Sequence, residues 1–202
     1  MVDLVTLAED RIAAGGSKTF PSAALPATPA PVADVAPIVR GALAVHGDAS
    51  IADPVRMVLD FRTSEAIMNY VNGADVARYS QVGVVTPDHA IRTKNFPLVM
   101  PPAGSDAFAD GVRAAVEAYV ADYHAYFTRH DGVREPAKTE LDPMPRVVLV
   151  PGLGLFGAGA NAGAAAIAAA IAENTARVIT DAEAIGTYQS VDEAAMFDIE
   201  YW

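Results

Sequence analysis

Gly152, Gly154 and Gly157 follow the apolar run Val147, Val148, Leu149, Val150 with the spacing G-x-G-x-x-G, and Gly159 adds a fourth glycine. Between a strand and a helix, such a loop lets backbone N–H groups approach a phosphate at the helix N-terminus. The alanine-rich stretch 160–185 supplies the helix. A dinucleotide site also needs a second strand ending in an acid that holds the ribose. No β-rich run precedes Asp192 and Glu193, and the remaining strands of a Rossmann half are missing. The glycines therefore read first as a tight turn with close helix–sheet packing. Anion binding by the loop is the alternative, and nicotinamide binding there is the minority reading.

A second constellation is the run Thr86-Pro-Asp-His-Ala-Ile-Arg-Thr-Lys94. His89, Arg92 and Lys94 near a helix start could hold an anionic substrate, a phosphorylated sugar or a nucleotide. The chain has only 14 Lys and Arg, so a local basic cluster stands out. The competing and favoured reading is a capped helical turn with solvated charges. Metal and covalent chemistry fare worse. His46, His89, His124 and His130 form no H-x-H and no H-E-x-x-H. His124 and His130, on one helix, stand about 240° apart around the axis. There is no cysteine, no G-x-S-x-G and no Tyr-x-x-x-Lys. Tyr119, Tyr123 and Tyr126 read as helix packing, and Asp192, Glu193, Asp198 and Glu200 as a solvated segment.

The net charge of −11 argues against nucleic acid and anionic membranes, which need clustered Lys and Arg. No window approaches the length of apolar sequence that spans a bilayer, about 20 residues. The N-terminus lacks the basic and apolar regions of a secretory signal. A chain without cysteine fits a reducing cytoplasm.

These residues need elements to position them. The spacing predicts a helix over 2–14 and, over 20–37, a proline-rich strap that cannot form a continuous helix. Apolar spacing resumes at 35–45 and breaks at Gly47-Asp48. A strand is expected at 55–61, a helix capped by Ser64, and short apolar runs at 82–85 and 96–100. A long helix over 105–130 carries Phe108, Val112, Val116, Tyr123 and Phe127 on one stripe. A loop at 133–144 leads to the glycine unit. The alternation predicts an α/β fold: a layered, Rossmann-like domain with a small, mainly parallel sheet flanked by helices. The domains expected are a helical arm with its strap (1–37), the α/β domain (38–189) and an acidic, aromatic segment (190–202). The terminal Tyr201-Trp202 pair reads as part of a longer natural chain.

The ordered set TPDHAIRTKNFPLVM, Tyr-x-x-Tyr-Phe at 123–127, PRVVLVPGLGLFG, AEAIGTYQSV and EAAMFDIEYW resembles one protein type. That type is the bifunctional class II aldolase/short-chain dehydrogenase, of the rhamnulose-1-phosphate aldolase/alcohol dehydrogenase kind. The resemblance implies a zinc aldolase domain before this stretch and an NAD(P)-dependent dehydrogenase after it. The chain would then be the part between, with those two domains as partners and self-association open. The family's zinc H-x-H, cofactor glycine loop and Tyr-x-x-x-Lys are all absent here. No catalytic role, zinc site or NAD(P) site is therefore carried onto a residue of this chain. The expected function is a non-catalytic connecting domain of a carbohydrate-metabolising enzyme. The alternatives are a small-molecule binding module or part of an oxidoreductase.

Overall fold

The computed structural model describes residues 2–16, 18–28, 30–44, 56–132 and 136–202. The Gly47-Asp48 break, His46, the first residue of the expected strand at 55–61 and the start of the loop at 133–144 lie outside them. In chain order the elements are α1 (Val2–Gly15), α2 (Val32–Ala42), β1 (Val58–Arg62), α3 (Glu65–Val71), α4 (Val76–Tyr79), α5 (Pro87–Thr93), β2 (Leu98–Val99), α6 (Phe108–Asp131), β3 (Val147–Val150), β4 (Gly154–Gly159), α7 (Ala162–Ile185) and α8 (Glu193–Glu200).

The sheet is mixed, in the order β1-β4-β3-β2. Only β2 and β3 run parallel, whereas β3–β4 and β4–β1 are antiparallel. This corrects the mainly parallel sheet expected from the alternation of elements. The cause lies in three residues. Pro151, Gly152 and Leu153 fold the chain straight back from Val150 onto Gly154, with Gly152 at φ 84°. The glycine run is thus a hairpin turn and a central strand, not a strand-to-helix loop. The helix starts only at Asn161, whose side chain accepts the Ala164 N–H at 2.9 Å.

Helices cover both faces. Val147, Leu149 and Leu155 face α3 and α7, with Ile67, Tyr70, Ala169, Ala172 and Ile179. Val148, Val150, Phe156 and Ala158 face α2 and α6, with Val35, Val39, Val112 and Val116. Alternate residues of β3 serve opposite layers, so its apolar run is continuous. Gly157 and Gly159 stand on the α7 face. A Cβ on Gly159 would lie 2.5 Å from the Ala165 nitrogen, and one on Gly157 would overlap the Ala165 carbonyl and the Ala169 backbone. Bare glycine under an alanine-rich helix lets the two backbones touch, as the packing reading of these glycines requires.

Two other expectations change. The proline-rich strap gives way to α2 at Val32, with Pro37 inside the helix and across the 37/38 boundary. Burial of Val35, Val39 and Leu43 offsets the missing proline N–H. The run 82–85 forms no strand. Its carbonyls serve side chains instead: Tyr188 donates to Gly83 at 3.1 Å and Ser190 to Val84 at 2.6 Å. Ser64 caps α3 through the Ile67 N–H at 3.2 Å, as expected.

Arg78 on α4 grips Glu183 on α7 with two bonds of 3.1 and 2.7 Å, and the Tyr188 N–H adds a third at 3.0 Å. The Arg78 hydrogen bonds, against the cost of burial, hold the Glu183 carboxyl below its ordinary 4.5. The unfolded chain therefore binds the proton first, so this stability is complete above 4.5 and is lost as pH falls through the folded value. Glu183→Gln is expected to flatten that part of the acid limb and to cost about 1.5 kcal/mol at neutral pH, a low figure because Arg78 is half-exposed. Urea midpoints recorded between about pH 6 and pH 3 check it; an unchanged acid limb would count against the assignment.

Candidate functional site

Polar chemistry concentrates where α5, α6 and α8 meet. Helix α5 opens with Pro87, whose fixed φ suits a first turn and whose missing N–H costs nothing there. It closes on Lys94, which stands at φ 59° and ψ −180°. Among the described residues Lys94 is the one non-glycine with positive φ. An L-residue is strained there and stays only where its surroundings fix it.

The fixing contacts come from the side chain. Lys94 Nζ lies 3.4 Å from Glu200 Oε1 and 3.8 Å from the centre of the Tyr123 ring. The Lys94 side chain is 6% exposed and that of Glu200 2%. Tyr123 donates to Glu200 Oε1 at 2.8 Å and Tyr126 to Oε2 at 3.2 Å. The Tyr123 and Tyr201 hydroxyls are 2.6 Å apart. Both carboxylate oxygens are thus occupied, and the ammonium has a carboxylate and a ring face. Burial pulls the Lys94 pKa below its ordinary value, opposed by Glu200 and reinforced by Arg146. Burial pushes the Tyr123 hydroxyl up, and its bonds to Tyr201 and Glu200 add to the rise. Tyr126 is raised by burial and Glu200, with Asn95 pulling the other way.

A buried lysine of lowered pKa can attack a carbonyl, but only with room beside it. The cavity lined by Lys94, Thr93, Asn95 and Val147 measures about 30 Å³, which is the scale of one water. A sugar does not fit it. The cluster locks three helices together.

A neighbouring ion group closes the rim. Glu193, at the start of α8, meets Arg129 at 2.7 Å and His130 at 2.6 Å. Burial raises the Glu193 pKa, but the bonds from His130 and Arg129 outweigh it and hold the carboxyl below its ordinary value.

Of the residues singled out from sequence, Lys94 enters this cluster. His89 is half-buried on α5, its Nδ1 without a hydrogen-bond partner among the described residues. Burial lowers the His89 pKa, with Asp88 opposing. Arg92 is exposed. No described bond or cavity joins His89 or Arg92 to Lys94. The glycines lie elsewhere. Gly152 donates its N–H to Asn72 Oδ1 at 2.8 Å. Gly154, Gly157 and Gly159 belong to β4, whose two edges pair with β1 and β3. The structure does not bring the glycine loop and the basic run into one site.

Glu200 was read from sequence as solvated, and the structure corrects this. The usable signal was its spacing: it follows buried Met196 and Phe197 by four and three residues, on the same helical face. Tyr123 and Tyr126 do pack, as expected, but each also spends its hydroxyl on Glu200. Asp192 caps α8 through the Ala195 N–H at 2.8 Å.

The implied cofactors can be compared with these residues. Among the described residues no group of three or more His, Asp or Glu could hold a metal. The described residues therefore offer no zinc ligand set. Nor does the glycine run offer NAD(P) an open helix end: the Gly152 N–H goes to Asn72 Oδ1, and Gly154, Gly157 and Gly159 lie within the central strand β4. Among the described residues no helix is long and apolar enough to cross a membrane.

Comparison with known proteins agrees with the sequence resemblance at a coarser level. The chain is 28% identical over 175 residues to "Uncharacterized oxidoreductase YuxG" of Bacillus subtilis (strain 168). The match covers 85% of this chain and 24% of that protein, so the chain spans about a quarter of its relative's length. No solved structure matches. The family model for the second domain of class II aldolases matches residues 30–202, and with most of the chain inside it the protein belongs to that family.

Proposed function

We propose that this chain is a connecting domain of a larger carbohydrate-metabolising aldolase/oxidoreductase. It sets the geometry between flanking aldolase and short-chain dehydrogenase domains and carries out no turnover itself. The observation that supports this most directly is the sealed Lys94–Glu200 cluster. Its most reactive-looking groups are paired with each other beside a cavity of about 30 Å³. They serve rigidity, which a spacer between two catalytic units needs.

One feature agrees. Helix α1 precedes the family match and exposes Leu4, Val5 and Leu7, a face suited to another domain. Zinc and NAD(P) would then belong to the flanking domains.

The test is turnover by the 202-residue chain. It is assayed for aldol cleavage of ketose 1-phosphates with added Zn²⁺, and for NAD⁺ and NADP⁺ reduction with hydroxyaldehydes. Rates at the level of the buffer blank are expected in both. Saturable turnover in either would overturn the reading.

A further inference from the structure

The sheet ends on an open strand. In the order β1-β4-β3-β2, β1 has a neighbour on one side only, and such an edge offers backbone groups to a further strand. The ladder fixes which groups these are. Extending the β3–β4 register by one residue sets Arg146 opposite Ala158, whose N–H goes to the Arg146 carbonyl at 2.8 Å. Hydrogen-bonded pairs alternate along an antiparallel ladder, so Ala158, Phe156 and Gly154 bond toward β3, and Leu155, Gly157 and Gly159 bond toward β1. Their partners there are Arg62, Asp60 and Val58. The N–H and C=O groups of Leu59 and Phe61 therefore point outward. In the same phase, the Met57 carbonyl is already taken by Arg40 Nε at 2.9 Å. Among the described residues no strand pairs with Leu59 or Phe61 on that side.

The side chains of this edge are complementary to their own copies. Asp60 and Arg62 share one face, where they meet at 2.6 Å with 29% and 38% of their side chains exposed. Arg62 spends Nε on Asp60, and its guanidinium keeps further N–H groups for a second carboxylate. Leu59 and Phe61 lean on the α2–α6 layer and stay partly exposed. Two-fold antiparallel registers centred on Leu59, Asp60 or Phe61 all satisfy the ladder. The Asp60 register sets two carboxylates directly opposite, and like charges there destabilise the pair. The Leu59 register calls on the Met57 carbonyl that Arg40 holds. The Phe61 register sets Phe61 against Phe61, Leu59 against Thr63, and Asp60 against Arg62 twice. Those charged pairs fall at non-hydrogen-bonded positions, where side chains come closest.

We propose that β1 pairs antiparallel with β1 of a second copy about a two-fold axis at Phe61, joining the two sheets into one. The interface is isologous, so every contact is made twice. The outward groups of Leu59 and Phe61 gain backbone partners, and each Arg62 bridges its own Asp60 and the one opposite. This surface is independent of the connecting role, since association needs no turnover.

Sedimentation velocity on the full chain tests it, over a roughly hundredfold range of concentration. A pair of strand edges is a small interface, so a concentration-dependent monomer–dimer equilibrium is expected. Asp60→Arg and Arg62→Asp each set like charges opposite one another, and each should weaken dimerisation by about tenfold. Mixed in equal amounts, the two variants face each other with opposite charges at both positions, and a dimer holding one of each should form as readily as the parent dimer. Circular dichroism confirms that each variant keeps its fold. A purely intrachain role for the Asp60–Arg62 pair gives no rescue on mixing. A parent chain that stays monomeric at every concentration overturns the proposal, the edge then serving a different chain or none. Dimerisation unchanged in either variant places the interface elsewhere and overturns it. Loss in both variants without rescue on mixing overturns the register, and the proposal with it.

Discussion

Glu200→Ala is expected to destabilise the protein by about 3–5 kcal/mol, because it leaves the Lys94 ammonium buried without its carboxylate. The geometry makes this site costly. Lys94 is 6% exposed, its backbone stands at φ 59°, and neither can relax toward water without undoing the turn after α5. The hydroxyls of Tyr123 and Tyr126 would also lose their acceptor. Lys94→Met alone should cost a similar amount by stranding the carboxylate. The double variant Lys94→Met/Glu200→Leu should recover much of the loss, since replacing both charges removes the uncompensated one. A double-mutant cycle by urea unfolding reads the coupling directly. Strictly additive single losses would show that the two residues do not act as a pair.

Gly157→Ala is the second large effect, expected near the top of the overpacking range at about 3 kcal/mol. The added methyl overlaps backbone rather than a movable side chain: it would stand 2.8 Å from the Ala169 Cα. Only a shift of α7 off β4 makes room, and that opens the core between α7 and the sheet. Gly159→Ala meets the Ala164 carbonyl carbon at 2.7 Å and should behave alike. Gly163 provides the contrast. It is exposed in the first turn of α7, and a Cβ there meets only Asn161 Oδ1 at 3.4 Å. Gly163→Ala should gain about 0.5–1 kcal/mol from helix propensity. Thermal unfolding of the three variants decides it; a Gly157→Ala protein as stable as the parent would refute the close-packing role.

These two sites differ in how far they could be read beforehand. The glycine spacing carries a real signal, but two backbone geometries satisfy it. A loop at a helix N-terminus needs glycine for close approach to an anion, and a strand under a helix needs it for close approach to another backbone. The local residues do not choose between them. Pro151-Gly152-Leu153 turns β3 back onto β4, and the pairing of β4 with β1, from far earlier in the chain, completes the central strand. The expectation of a mainly parallel sheet failed because the Pro151-Gly152-Leu153 turn reverses the chain between β3 and β4, and because β4 then takes β1, from far earlier in the chain, as its antiparallel partner.

The helices were more legible. The stripe from Phe108 to Phe127 and the Ser64 and Gly186 boundaries follow from 3.6-residue periodicity and capping, both local properties. The two-sided burial of Val147–Val150 also follows from its unbroken apolar run. Pro37 shows the limit of such rules, since the burial of Val35 and Val39 outweighs a local penalty.

By itself, then, the sequence determined the class of the fold, the positions of its long helices and the absence of the motifs for cysteine, H-x-H zinc and Tyr-x-x-x-Lys chemistry. It also marked Lys94 as a residue of interest. Tertiary structure decided what Lys94 does. Its carboxylate partner lies 106 residues away, in a segment whose acids look solvated when read alone. Burial of a charge is settled by what the rest of the chain brings to it. Here α6 brings two tyrosine hydroxyls and a ring face, and α8 brings Glu200, so a pair of charges that water would otherwise hold apart becomes the joint between three helices.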